Sequence, residues 1–208
     1  MVFKNISNLE KGITLIEIIV VIFIIGIFSV ILVSDFPKIQ RLFALSRSTY
    51  KLGQDIRRAE DLGLSGVQVN DIQKNLISIK GYGIYINFFY EKQKYLIYAD
   101  VDSPNSPANQ MFDGNFSTLL CNERDKPAVD CVIEIVDIAK ENLSLTIKNI
   151  ENVNTLGYVD INFSPPDPTV KINNIKEGSD RVGIVFGLSS GSSERTVWTN
   201  KSGMIEVE

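Results

Sequence analysis

Hydrophobic positions change their spacing twice along the chain. From Ile13 to Val33 they are almost continuous, ITLIEIIVVIFIIGIFSVILV. A run of about 21 residues is roughly 32 Å long as a helix, matching a hydrocarbon core of about 30 Å. One carboxylate, Glu17, interrupts it. Pro37 follows the run and predicts a kink or an interruption. The pattern then resumes at Ile39, Leu42, Leu45, Thr49, Leu52, Ile56, Ala59 and Leu62, three or four apart. That spacing predicts an amphipathic helix to about Leu62, ended by Gly63 and Gly66. Its polar side carries Lys38, Arg41, Arg47, Lys51, Arg57 and Arg58. These read as a solvated face laid against a domain, with a phosphate-binding stripe as the alternative.

From Ile77 the period becomes two. Residues 82–88 and 94–99 predict two strands joined by a polar turn around Glu91, Lys92 and Gln93. A long loop from Asp102 to Phe116 holds Pro104, Pro107 and Gly114. Further strands are expected over 132–136, 143–150, 158–163, 169–173, 181–187, 194–199 and 203–207. Short strands after one long helix predict an α+β fold, the helix packed on an antiparallel sheet domain.

Composition narrows the functions. The net charge of −4, without a basic block, gives no global argument for nucleic acid. There is no histidine, so the commonest general base and metal ligand are missing. Gly187-Leu188-Ser189-Ser190-Gly191 fits the hydrolase nucleophile pattern, but without histidine it cannot complete a Ser-His-Asp triad. It reads as a turn. Cys121 and Cys131 fit one disulfide in an oxidising compartment, or two separate buried thiols. No small-residue cleavage site of the secretory kind follows Val33. Glu17 stands out, because an ionisable group in hydrocarbon costs about 2.5–3.5 kcal/mol on insertion scales and marks function.

Lys11-Gly12-Ile13-Thr14-Leu15-Ile16-Glu17 resembles the processing site of type IV prepilins and type II secretion pseudopilins. The resemblance implies a leader over 1–12, cut by a prepilin peptidase between Gly12 and Ile13, with Ile13 then N-methylated. It implies a transmembrane helix over 13–36, an amphipathic continuation over 37–63 and a β-rich extracytoplasmic domain over 64–208. Glu17 becomes the assembly residue, pairing with the terminal amine of a neighbouring subunit. Phenylalanine usually stands where Ile13 does. Positive charge follows the span (Lys38, Arg41, Arg47, Lys51) more than it precedes it (Lys4, Lys11). The charge rule alone therefore does not put the leader in the cytoplasm; the resemblance does.

The order of elements, with Gly81–Tyr85, Tyr98–Asp100, Glu194–Trp198 and Ser202–Glu206, is similar to the GspH/FimT branch of minor pilins and pseudopilins. Implied is a non-enzymatic subunit of a pilus or pseudopilus, anchored in the inner membrane and partnered by other subunits, the peptidase and lipid. The alternative is a filament-associated binding subunit for DNA uptake or a secreted substrate. The acidic end, Glu206 and Glu208, disfavours DNA, since phosphate contacts need Lys or Arg. Asp100, Asp102 and Asp113, with Asn105 and Asn109, gather oxygen atoms on one loop, and some pseudopilins bind calcium in a loop. The spacing fails the EF-hand pattern, and a polar turn is the other reading.

Overall fold

The computed structural model describes residues 13–103, 107–114, 120–123, 129–154, 157–165, 170–189, 191 and 193–208. Helix α1 runs Leu15–Ser65, and the chain divides into two compact units, to Gln40 and from Arg41.

In the first unit every described residue is exposed, and the helix is long and apolar enough to cross a membrane. Helical structure continues through Pro37 rather than breaking there. Proline removes one backbone donor, but its ring fixes φ near the helical value, so the chain can carry on past it. Ser29 and Ser34 turn their hydroxyls onto the carbonyls of Ile25 (2.8 Å) and Ile31 (3.0 Å). Neither hydroxyl therefore needs water.

In the second unit the helix buries Ala44, Leu45, Ser48, Thr49, Leu52, Gly53, Asp55, Ile56, Ala59 and Gly63. Ile39 and Leu42, expected on the buried stripe, are exposed. Their spacing runs on from the apolar segment, so periodicity alone could not mark where burial begins. Three cations of the polar side are paired: Arg47 with Glu141 at 2.9 Å, Arg58 with Glu134 at 2.6 Å and Lys51 with Asp55 at 3.2 Å. The helix ends three residues later than expected. Gly63 lies inside it, where a Cβ would come within 2.6 Å of the Phe163 carbonyl oxygen. Gly66, at φ +61°, supplies the left-handed residue that stops the helix.

Strands β1 (Val69–Asn70) and β2 (Leu76–Ile77) form a small hairpin that alternation did not announce. The remaining strands are β3 (Ile79–Asn87), β4 (Lys94–Val101), β5 (Cys131–Asp137), β6 (Leu145–Glu151), β7 (Tyr158–Phe163), β8 (Val170–Asn173), β9 (Arg181–Leu188), β10 (Glu194–Asn200) and β11 (Ile205–Val207). They form two larger antiparallel sheets, ordered β5-β4-β3-β7-β8 and β11-β10-β9-β6. The fold is α+β, with one long helix packed on antiparallel sheets. One apolar core takes Leu45, Leu52 and Ile56 from the helix, Ile84, Ile97 and Ile161 from the first sheet, and Ile147, Ile184 and Val197 from the second. Ile84 sits opposite both Ile97 and Ile161, which fixes the register of the three central strands.

Ile56 is fully buried in this core. Truncating it leaves a cavity, so Ile56→Ala should lower unfolding stability by about 2–5 kcal/mol. Denaturant unfolding of wild type and variant measures this; a loss below about 1 kcal/mol would contradict the packing described.

Candidate functional site

The helix begins at Leu15, and Thr14 caps it. The Glu17 amide donates to the Thr14 side-chain oxygen at 3.3 Å and to its carbonyl at 3.1 Å, and the Ile18 amide reaches the same carbonyl at 3.3 Å. Thr14-Leu15-Ile16-Glu17 thus follows the capping-box spacing, with Glu17 at the third helical position. A carboxylate there is favoured by the unpaired amides and the positive end of the helix dipole. Ile13 precedes the helix, so it is not stacked one helical turn below Glu17. Gly12, the expected residue before the cut, lies outside the described residues. Glu17 itself is exposed among exposed Ile13, Leu15, Ile16, Ile18 and Val21. An apolar surface this continuous calls for lipid or other helices around it.

A second group of polar residues lies in the second unit, where the calcium ligands were expected. Residues 107–114 cross the face of the first sheet turned away from the apolar core. Their amides donate to carboxylates projecting from it: Ala108 to Asp102 (3.5 Å), Gln110 to Asp100 (2.8 Å), Phe112 to Asp160 (2.7 Å) and Asp113 to Asp130 (3.0 Å). Asp130 also accepts the Val101 amide at 2.9 Å, and its own amide donates to Asp113 at 2.9 Å. The Phe112 ring lies between Tyr85 (4.8 Å between centroids) and Tyr98 (5.1 Å). Tyr98 donates its hydroxyl to Asp160 at 2.6 Å and accepts from Asn162 at 3.0 Å. Among the described residues, no three His, Cys, Asp or Glu side chains are placed to hold one metal ion. Asp102 pairs with Lys80 at 3.6 Å, Asp100 accepts the Gln110 amide and Asp113 accepts the Asp130 amide. Asn109 accepts the Met111 amide; Asn105 lies outside the described residues.

Burial raises the proton affinity of these acids. It pushes Asp130 up to about 8, against the opposing pull of the Val101 and Asp113 amides. It pushes Asp160 up to about 7, against the Tyr98 hydroxyl and the Phe112 amide. Asp100 is also raised, mainly by burial. Burial and the neighbouring Asp160 hold the Tyr98 phenol well above its usual range, so it stays a donor. One residue beyond Asp130, Cys131 forms a disulfide with Cys121, Cα atoms 5.0 Å apart. Both are buried with Ile77, Tyr82, Ala99 and Val101 in a smaller apolar cluster. The Ser189 hydroxyl and amide both donate to the Ser144 carbonyl, at 2.9 and 2.7 Å. That serine closes a turn; Ser190 lies outside the described residues.

Residues 7–33 match the family model described as the prokaryotic N-terminal methylation motif. The N-terminus is of the type IV pilin and pseudopilin kind. No curated protein matches the chain, and no solved structure does. The pilin-type segment contains Thr14, Glu17 and the apolar helix to Val33, and the β-domain behind it completes a pilin-like α+β architecture. Thr14 was missed as a cap, although its spacing to Glu17 carried the capping-box signal. Asp130 and Asp160 carried no signal, because only sheet register brings positions 30 residues apart to one loop.

Two outcomes follow from the acid cluster and its disulfide. In the unfolded chain an aspartate loses its proton near pH 4; folded, Asp160 and Asp130 keep theirs to about 7 and 8. Their contribution is complete below about pH 4 and is lost as pH rises through 7–8. The melting temperature should therefore fall from pH 5 to pH 9, and a rise across that range would contradict the assignment. Reducing Cys121–Cys131 should lower unfolding stability by about 2–3 kcal/mol, read from denaturant midpoints with and without reductant.

Proposed function

We propose that this chain is a structural subunit, of the GspH/FimT-like minor pilin or pseudopilin type, in a type IV pilus or a type II secretion pseudopilus. It acts by assembly, not catalysis. The observation that carries the reading is the methylation motif at 7–33 running directly into an exposed, membrane-length helix with one carboxylate near its start. A prepilin peptidase cuts after Gly12, and Ile13 becomes the methylated first residue. The helix holds the subunit in the inner membrane, with residues 64–208 on the extracytoplasmic side. During assembly the helix leaves lipid for the company of other helices in the filament core.

Glu17 sets the register of that packing. A carboxylate entering an apolar helix bundle must find a positive partner or lose several kcal/mol. A neighbour's amine at Ile13 is such a partner. Cleavage, by creating the amine, makes the subunit competent to assemble. The capped start leaves Ile13 outside the helix, which supports a terminus reaching a neighbour rather than pairing within its own first turn.

Glu17→Ala removes the carboxylate and keeps the cut site. The variant should be shortened by the peptidase as wild type is, on gel mobility, and be missing from sheared or purified filaments. Its incorporation at the wild-type level would sink the register role.

A further inference from the structure

The acid cluster under residues 107–114 goes beyond the assembly reading. Asp100, Asp130 and Asp160 are each at most 2% exposed. Among the described residues none of them forms an ion pair: Lys171 donates to the Asn109 carbonyl at 2.9 Å, and Lys80 pairs with Asp102. One oxygen of Asp100, Oδ1, is buried without a hydrogen-bond partner. Buried carboxylates with no cation against them cannot all stay ionised. A proton on each is the least demanding neutraliser.

We propose that residues 107–114 form a pH-operated strap, seated over the aromatic face of the sheet while Asp100, Asp130 and Asp160 hold protons, and released as they lose them. A protonated carboxyl still accepts a strap amide through its carbonyl oxygen, so seating survives neutralisation. Deprotonation places like charges together in a poorly hydrated layer. Lifting the strap lets water reach them and removes the conflict. Burial raises all three acids, and carries Asp160 to about 7 and Asp130 to about 8.

Every element packed there contributes titratable or charged groups. Lys80 and Tyr85 come from β3; Tyr98 and Asp100 from β4, and Asp102 from just beyond it; Tyr158 and Asp160 from β7; Lys171 from β8; Asp113 from the strap; and Asp130 from the residue before β5. Lys171 lies near enough to Asp100 to favour its ionised form, but burial outweighs it. Asn173 holds the strap without titrating, donating to the Gln110 carbonyl at 2.6 Å. Release would withdraw Phe112 from Tyr85 and Tyr98 and open an aromatic surface for contact.

Hydrogen exchange of the full-length chain in detergent micelles, read by mass spectrometry at pH 5.5 and pH 9, tests this. After correction for intrinsic exchange rates, protection of peptides covering 107–114 should drop at least about tenfold at pH 9, while peptides from β9 keep theirs. Equal protection of 107–114 at both pH values overturns the proposal. Asp160→Asn keeps an oxygen for the Phe112 amide and cannot titrate, though its amide nitrogen cannot accept the Tyr98 hydroxyl as Asp160 Oδ1 does. Its drop should be smaller than that of wild type, and a drop just as large counts against the switch. If Asp160→Asn does not fold, the wild-type comparison decides alone.

Discussion

Glu17 is a carboxylate in the otherwise apolar segment from Ile13 to Val33, and the proposed assembly turns on it. Hydrocarbon cannot solvate an ionised carboxylate at Glu17. Within its own chain it has the helix N-terminus, a partial positive charge at best. That stabilises the residue without neutralising it. The missing positive charge must come from outside the helix, and the proposed cut before Ile13 creates one at the matching end of every subunit. On the proposed assembly, processing and filament register are linked through one charge and its partner.

The second unit handles acids by the opposite means. Asp100, Asp130 and Asp160 are buried under a loop with amides, not cations, for company. These hydrogen bonds favour the charged forms, but burial outweighs them, so the acids hold protons that ordinary aspartates give up. Their use is structural: each pins one amide of a segment with no ladder of its own. Phe112 between Tyr85 and Tyr98 adds an apolar anchor, and Cys121–Cys131 ties down the chain beside Asp130.

Much of the fold was legible in the sequence, because its two periods are clean. The three-to-four spacing from Leu45 to Ala59 placed the helix on the core, and alternation gave strands β3 to β11 within a few residues. What alternation could not give was partition: the split into two sheets depends on which strands pair, not on which face is apolar. The two-residue strands β1 and β2 are too short to show a period. At the N-terminus the motif was plain, since leader, glycine, glutamate and apolar run are contiguous. The acid-pinned loop was half visible. Asp100, Asp102 and Asp113 stood out as neighbours in sequence, whereas Asp130 and Asp160 join them only through the sheet, where they accept the Asp113 and Phe112 amides.

A cut at one peptide bond is proposed to free the amine that Glu17 requires in a neighbour. Intact-mass and N-terminal peptide mass spectrometry of the protein recovered from envelope fractions test it most directly. The account predicts a chain lacking residues 1–12 and beginning at Ile13, with one methyl group on its terminal nitrogen. A chain that keeps residues 1–12 at the membrane, with a working prepilin peptidase present, would contradict it.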